Sequence, residues 1–231
     1  LPRWGIVLGE LLIMVPLIAL IRKAGLPLAS TLGLNSVHPV TIRNAVLIGV
    51  GVSVLVDELD RLIAMVFPLP ESITGSLEFL TFATWDEALL VLLGASIIAP
   101  LVEETLFRGF CQGQLEKGYG DATKAVLIAS LLFVVLHFNP WWALQIYVFG
   151  VVLGYLAWRT GSVWPAVIVH GINNSLSVVF ANLEETDYQW YVMGDHVNPM
   201  WLLVSSILAY AGLKSLIDGY REPVSVIIQG E

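Results

Sequence analysis

Seven stretches of this chain are too long and too apolar for an ordinary soluble domain: 4–21, 44–66, 87–110, 122–138, 141–158, 163–181 and 200–217. A hydrocarbon core ~30 Å thick is crossed by roughly 20 apolar residues of helix. Lipid offers no partner to an open backbone hydrogen bond, so only helices and closed barrels can span it. None of the stretches shows the polar–apolar alternation of a barrel strand. The expectation is an all-α integral membrane protein, a bundle of about seven transmembrane helices forming one domain over 1–231. Composition agrees: 57% of the 231 residues are hydrophobic and 13% are charged, against ~25% charged in soluble domains. That excludes an ordinary soluble enzyme and a disordered chain. A net charge of −8 argues against nucleic acid as a partner, and the single Cys111 excludes an internal disulfide. The run at 4–21 is followed by its basic pair, Arg22 and Lys23, and reads as a retained helix rather than a cleaved leader.

The basic residues set an expected orientation. Arg22, Lys23, Arg43, Arg108, Lys117, Lys124, Arg159, Lys214 and Arg221 all fall on one side if seven spans alternate. Arg3 and Arg61 fall on the other, together with Glu71, Glu78, Asp86, Glu184, Glu185, Asp187 and Asp195. Basic loops stay cytoplasmic, which puts the amino terminus outside and the carboxyl terminus in the cytoplasm. Trp4, Trp85, Trp141, Trp142, Trp164, Trp190 and Trp201 sit near span ends, as interfacial anchors do. The second span is the least regular, because Asp57, Glu58, Asp60 and Arg61 crowd its last third. It is expected to stop near Val56 or to turn into the interface.

A few side chains do not belong in lipid. The third span holds Pro100-Leu-Val-Glu103-Glu104-Thr-Leu-Phe107-Arg108, and a carboxylate at mid-membrane costs at least ~2.5–3.5 kcal/mol. Glu104 and Arg108 are spaced i,i+4 and suit an ion pair. Glu103 points about 100° away, so the two carboxylates are not expected to serve one group, and Glu103 lacks a local partner. Pro100 removes a helix hydrogen bond and exposes a carbonyl nearby. The fourth span ends at Phe133-Val-Val-Leu-His137, and the sixth carries His170-Gly-Ile-Asn173-Asn174. His170 and Asn174 share a helix face, and Asn173 is expected to point away. Counting from the hairpins near Gly118 and Gly161 places Glu103 and His137 at one level, with His170 ~9 Å nearer the cytoplasm. Two His, one Asn and an unpaired Glu supply a general base, metal ligands and a polar donor. His38 and His196 lie in loops and read as solvated.

At these residues the chain resembles the CAAX-protease and bacteriocin-processing (CPBP) family, the Rce1- and Abi-like intramembrane proteases. The family motifs EExxxR, FxxxH and HxxxN match Glu103 to Arg108, Phe133 to His137 and His170 to Asn174, in order. Gly161-Ser-Val-Trp-Pro165 is also similar to the family. The resemblance implies a protease core over about 85–181 in a multi-pass protein of a prokaryotic plasma membrane or an organelle, thylakoid-type membrane. It implies hydrolysis of a peptide bond in a membrane-associated substrate. Glu103 would activate water, His137 and His170 would hold that water or a metal, and Asn174 would stabilise the oxyanion, with Glu104 and Arg108 in support. Zn²⁺ on Glu103, His137 and His170 is one option, and Glu103 as a base without metal is the other. Expected partners are lipids and a peptide or membrane-protein substrate.

Other intramembrane protease types fit poorly. HExxH and GxSG are absent from the sequence, and Gly118-Tyr-Gly-Asp121 reads as a glycine turn with Asp121 capping the next helix. The alternative to an enzyme is a non-catalytic scaffold or immunity-type binding protein with the same fold, as a subunit of a larger membrane complex.

Overall fold

A computed structural model describes residues 4–70 and 79–220. It is mostly helical, at 79%. The helices are α1 (Trp4–Lys23), the single turn α2 (Leu28–Thr31), α3 (Pro39–Val66), α4 (Trp85–Tyr119), α5 (Ala122–Leu136), α6 (Ala143–Thr160), α7 (Trp164–Ala181) and α8 (Pro199–Gly219). A two-stranded antiparallel hairpin, β1 (Val192–Met193) and β2 (His196–Val197), interrupts the last connection. Among the described residues α3, α4, α6 and α8 are long and apolar enough to cross a membrane. The apolar α5 has 15 residues, ~22 Å at 1.5 Å per residue. The 18 residues of α7 carry His170, Asn173, Asn174, Ser175 and Ser177, which lower its hydropathy. Arg3, Glu71, Glu78 and Arg221, used above to orient the chain, lie outside the described residues.

Local chemistry sets the helix boundaries. Gly120 (φ +62°) and Gly161 (φ +63°) end α4 and α6 in the left-handed conformation that glycine adopts without strain. The Asp121 carboxylate accepts from the Lys124 N–H at 3.1 Å and caps α5 as expected. His38, read as solvated, is exposed and also caps α3, its Nδ1 accepting from the Val40 N–H at 3.2 Å. In α4, two seven-residue π-helical stretches, Leu92–Ile98 and Thr105–Cys111, flank the α-helical Ala99–Glu104. Such wide turns recur at functional sites.

The core forms where α3, α6, α7 and α8 meet, around Ile48, Leu153, Leu156, Val169 and Leu216. A smaller cluster joins Leu17 and Ile21 of α1 to Leu32, Leu106 and Phe110. Leu12, Val15, Val135 and Leu203 face outward with more than half their surface uncovered, as lipid-facing residues do.

The two ends of the bundle are tied differently. At one end Asn35 Nδ2 donates to the Gly161 carbonyl (2.7 Å), the Ser162 hydroxyl to the Asn35 carbonyl (2.6 Å), and Asn44 Nδ2 to the Ser215 hydroxyl (3.0 Å). At the other end Asn182 bridges the 79–84 segment, accepting from the Phe82 N–H and donating to the Leu80 carbonyl. There α3 does not stop at Val56 but runs on to Val66. Its acidic turn finds partners that the linear pattern hides. Asp57 accepts from Arg61 Nε (3.2 Å) and the Tyr191 hydroxyl (2.9 Å), while Glu58 meets His196 Nδ1 (2.7 Å) and the Val197 N–H (2.8 Å). His196, read as solvated, is therefore an exposed partner of Glu58. Burial, and then the adjacent Asp57, raise the Tyr191 phenol above its ordinary pKa, which keeps it a donor.

Candidate active site

The buried pair of α4 is the foundation of the site. Arg108 Nη1 donates to Glu104 Oε1 at 2.9 Å, and both side chains are fully covered. Arg108 Nη2 donates to the Gly150 carbonyl at 3.1 Å, and the guanidinium lies 4.3 Å from the Phe133 ring centroid. One turn on, Gln112 Nε2 donates to the Gly154 carbonyl at 3.1 Å. The Gly150/Gly154 pair thus lets α4 side chains reach the backbone of α6. A Cβ on Gly150 would sit 3.2 Å from Arg108 Nη2. Gly109, by contrast, admits the chain backbone, since its Cβ would lie 2.2 Å from the Leu32 carbonyl oxygen. A Cβ on Gly113 would meet nothing within 4 Å.

On this base stands His170. Its Nδ1 is 2.8 Å from Glu104 Oε1 and its Nε2 is 3.9 Å from Glu103 Oε2. The expectation that adjacent carboxylates cannot serve one group is therefore corrected. The imidazole of α7 enters between them and presents a different nitrogen to each. Glu103 Oε2 is buried and makes no hydrogen bond. The expected ~9 Å drop of His170 below Glu103 is also corrected. Counting from hairpins assumed that the two hairpins are level. Instead Gly33 lies against both Val163 and Gly109 Cα, so α7 starts beside Gly109 rather than beside the Gly120 turn. From there His170 and Glu103 are about two turns away on their own helices.

Pro100 explains Asn174. In the first π stretch the Ala99 N–H bonds to the Gly94 carbonyl. The next donor in that register would be Pro100, which has no N–H. Asn174 Nδ2 supplies one, donating to the Ala95 carbonyl at 2.9 Å. The neighbouring Ser96 carbonyl packs on Gly171, where a Cβ would approach to 2.7 Å. Asn174 is thus anchored to α4 by one amide hydrogen, with the second remaining. Asn173 does not point away, as expected from sequence, but lines the same cavity as Asn174.

His137 stands at the edge. Its Nδ1 is 2.8 Å from the Phe133 carbonyl, which leaves Nε2 available, and its ring packs edge-on against Phe133 at 4.5 Å. Phe133 in turn meets His170 at 5.8 Å, so one aromatic ring spaces both imidazoles and covers Arg108. The proposed ligand set Glu103, His137 and His170 is not drawn into a metal-binding cluster: among the described residues no three His, Cys, Asp or Glu side chains are close enough to hold an ion.

Glu103, His137, His170, Asn173 and Asn174, but not Glu104 or Arg108, line a cavity of about 450 Å³ that also receives Asp60, Gln145 and Glu10. Glu10 was missed from sequence. It is the one charged residue in the run 4–21, and an intramembrane carboxylate should have been read as functional. Its Oε2 is buried without a hydrogen bond, and it interacts electrostatically with Glu103 and His170. A second cavity of about 210 Å³ shares Asp60, Gln145, Asn173 and Ser177 with the first and reaches Tyr191. A larger groove, about 590 Å³ between Leu62 and Leu144, is lined by apolar side chains and carries no ionisable group. The candidate catalytic groups Glu103, His137 and His170 line the first.

Comparison with known proteins bears out the family resemblance. Residues 85–176 match the family model described as type II CAAX prenyl endopeptidase Rce1-like. A Bacillus subtilis (strain 168) protein named "Putative membrane peptidase YdiL" is 26% identical over 159 residues, 63% of this chain. The match spans 64% of that relative's length. No solved structure matches.

Proposed function

With an Rce1-like segment at residues 85–176, we propose that this integral membrane protein is an intramembrane endopeptidase that cleaves a membrane-associated peptide by Glu103-activated water. The observation that carries the reading is that Glu103 and His170 line one cavity with space for water, with Glu103 Oε2 3.9 Å from His170 Nε2. Glu103 Oε2 is sealed off, so the water sits in the cavity against the other carboxylate oxygen of this side chain, which is 21% exposed.

In this reading Glu103 takes a proton from the water, and the resulting hydroxide attacks the scissile carbonyl carbon. His170 is held by Glu104, itself neutralised by Arg108, so its Nε2 is fixed toward the reacting atoms. Oriented donors stabilise a developing oxyanion because they need no reorganisation. The second amide hydrogen of Asn174 is the donor available; His137 keeps its proton on Nδ1 toward the Phe133 carbonyl, so its Nε2 donates only as an imidazolium. Collapse of the tetrahedral intermediate breaks the C–N bond as Glu103 returns its proton to the departing amine. The same reading takes α1, α5 and α7 as further spans, giving seven, with the amino terminus outside.

The test is Glu103→Gln and His170→Ala in the full chain, with processing of candidate membrane substrates followed in the host. Loss of processing with normal folding supports the protease. Processing that survives both substitutions overturns it in favour of a scaffold or immunity-type protein.

A further inference from the structure

The cavity has a mouth at one end of the bundle and a floor at the other. The mouth is framed by Phe79 before α4, His137 at the end of α5, Trp142 at the start of α6 and Asp60 near the end of α3. The floor is closed by the covered Glu104–Arg108 pair, with Phe133 (1% exposed) and Phe149 (5%) around it. Below the floor the Leu32 backbone seals against Gly109.

The charges divide along the same axis. Arg22, Lys23, Arg43, Lys117, Lys124 and Lys214 lie at the floor end, where the hydrogen bonds through Asn35, Gly161 and Ser215 gather the chain. At the mouth end Arg61 is the one Lys or Arg among the described residues, and it is paired with Asp57 at 3.2 Å. Basic segments are retained in the cytoplasm during insertion, and anionic inner-leaflet lipids hold them there. Nothing comparable holds the mouth end, whose ionisable groups are mostly carboxylates: Glu10, Asp57, Glu58 and Asp60.

We infer that the cavity opens on the extracytoplasmic side of the membrane, and that its substrate is a peptide segment presented there: an extracytoplasmic tail, or the stretch flanking a membrane anchor on that face. A substrate confined to the cytoplasmic leaflet would meet the basic, closed end. The inference rests on the proteolytic reading for what the cavity does, and on the charge distribution for the side it faces.

Site-directed labelling tests the side without needing turnover. In the full chain carrying Cys111→Ala, Ser177→Cys places a thiol in the cavity, Phe79→Cys places one at its mouth, and Lys124→Cys marks the floor end. A membrane-impermeant maleimide is applied to bacterial spheroplasts and to inverted vesicles. The expected result is labelling of Phe79→Cys and Ser177→Cys in spheroplasts, and of Lys124→Cys in inverted vesicles. Phe79→Cys keeps the test valid if the Ser177→Cys protein does not accumulate. The reverse pattern overturns the inference, and so does protection of both cavity-side thiols in spheroplasts. If Glu103→Gln leaves processing intact, the protease reading fails while the labelling pattern stands, so the two failures are distinguishable.

Discussion

Replacing Arg108 by Met removes the charge that neutralises Glu104 while keeping a long apolar side chain. Arg108 makes a 2.9 Å ion pair with a carboxylate that has no exposed surface, a 3.1 Å bond to the Gly150 carbonyl and a stack on Phe133. Removing one partner of a buried pair strands the other charge and costs ~3–5 kcal/mol. His170 Nδ1, 2.8 Å from the same Glu104 oxygen, still donates to it, which favours the lower figure. At roughly 2–4 °C per kcal/mol for a chain of this size, melting should fall by about 6–20 °C. Near-UV circular dichroism of the detergent-solubilised protein reads that shift. The decisive arm is Arg108→Met combined with Glu104→Gln. With no charge left to strand, the double variant should be more stable than Arg108→Met alone. A shift of no more than ~1 kcal/mol for Arg108→Met, the worth of an exposed pair, would refute the reasoning. Strict additivity of the two substitutions would refute it as well.

Glu103→Gln should lower turnover by about 10²–10⁴-fold, the usual worth of a general base. Its melting temperature should stay near wild type, since the buried Oε2 makes no hydrogen bond to lose. Gly109→Val forces a side chain onto the Leu32 carbonyl, 2.2 Å from the Cβ position, and should cost ~1–3 kcal/mol as overpacking does, read by thermal unfolding. Asn174→Ala leaves the Ala95 carbonyl without its donor and should cost ~1–3 kcal/mol, whereas Asn173→Ala should melt near wild type. Less than one zinc per chain in fully active protein, by elemental analysis, would assign Glu103 as a base without metal rather than as a ligand beside His137 and His170. Stoichiometric zinc that disappears in His137→Ala would assign that set instead.

The sequence by itself determined the membrane character, the helical class and the candidate residues of the site. These are one-dimensional properties: span length, the cost of a carboxylate in lipid, and i,i+4 spacing. They sufficed for Glu103, Glu104, Arg108, His137, His170 and Asn174, and for the Glu104–Arg108 pair itself. Glu10 was legible on the same ground and was passed over because no motif contains it. Helix phase alone misplaced Asn173 and separated Glu103 from Glu104. Phase describes where a side chain leaves its own helix, not where a neighbour's ring comes to rest. Hairpin counting misplaced His170 because the depth of a helix is set by what packs beneath it, here Gly33 between Gly109 and Val163. The acidic end of α3 seemed to forbid a continuous helix until Tyr191, His196 and the Val197 N–H, more than 130 residues away, supplied its partners. Only the tertiary structure decided these points, because a buried polar group is stabilised by whichever donor or acceptor reaches it in space, and local sequence does not record that distance.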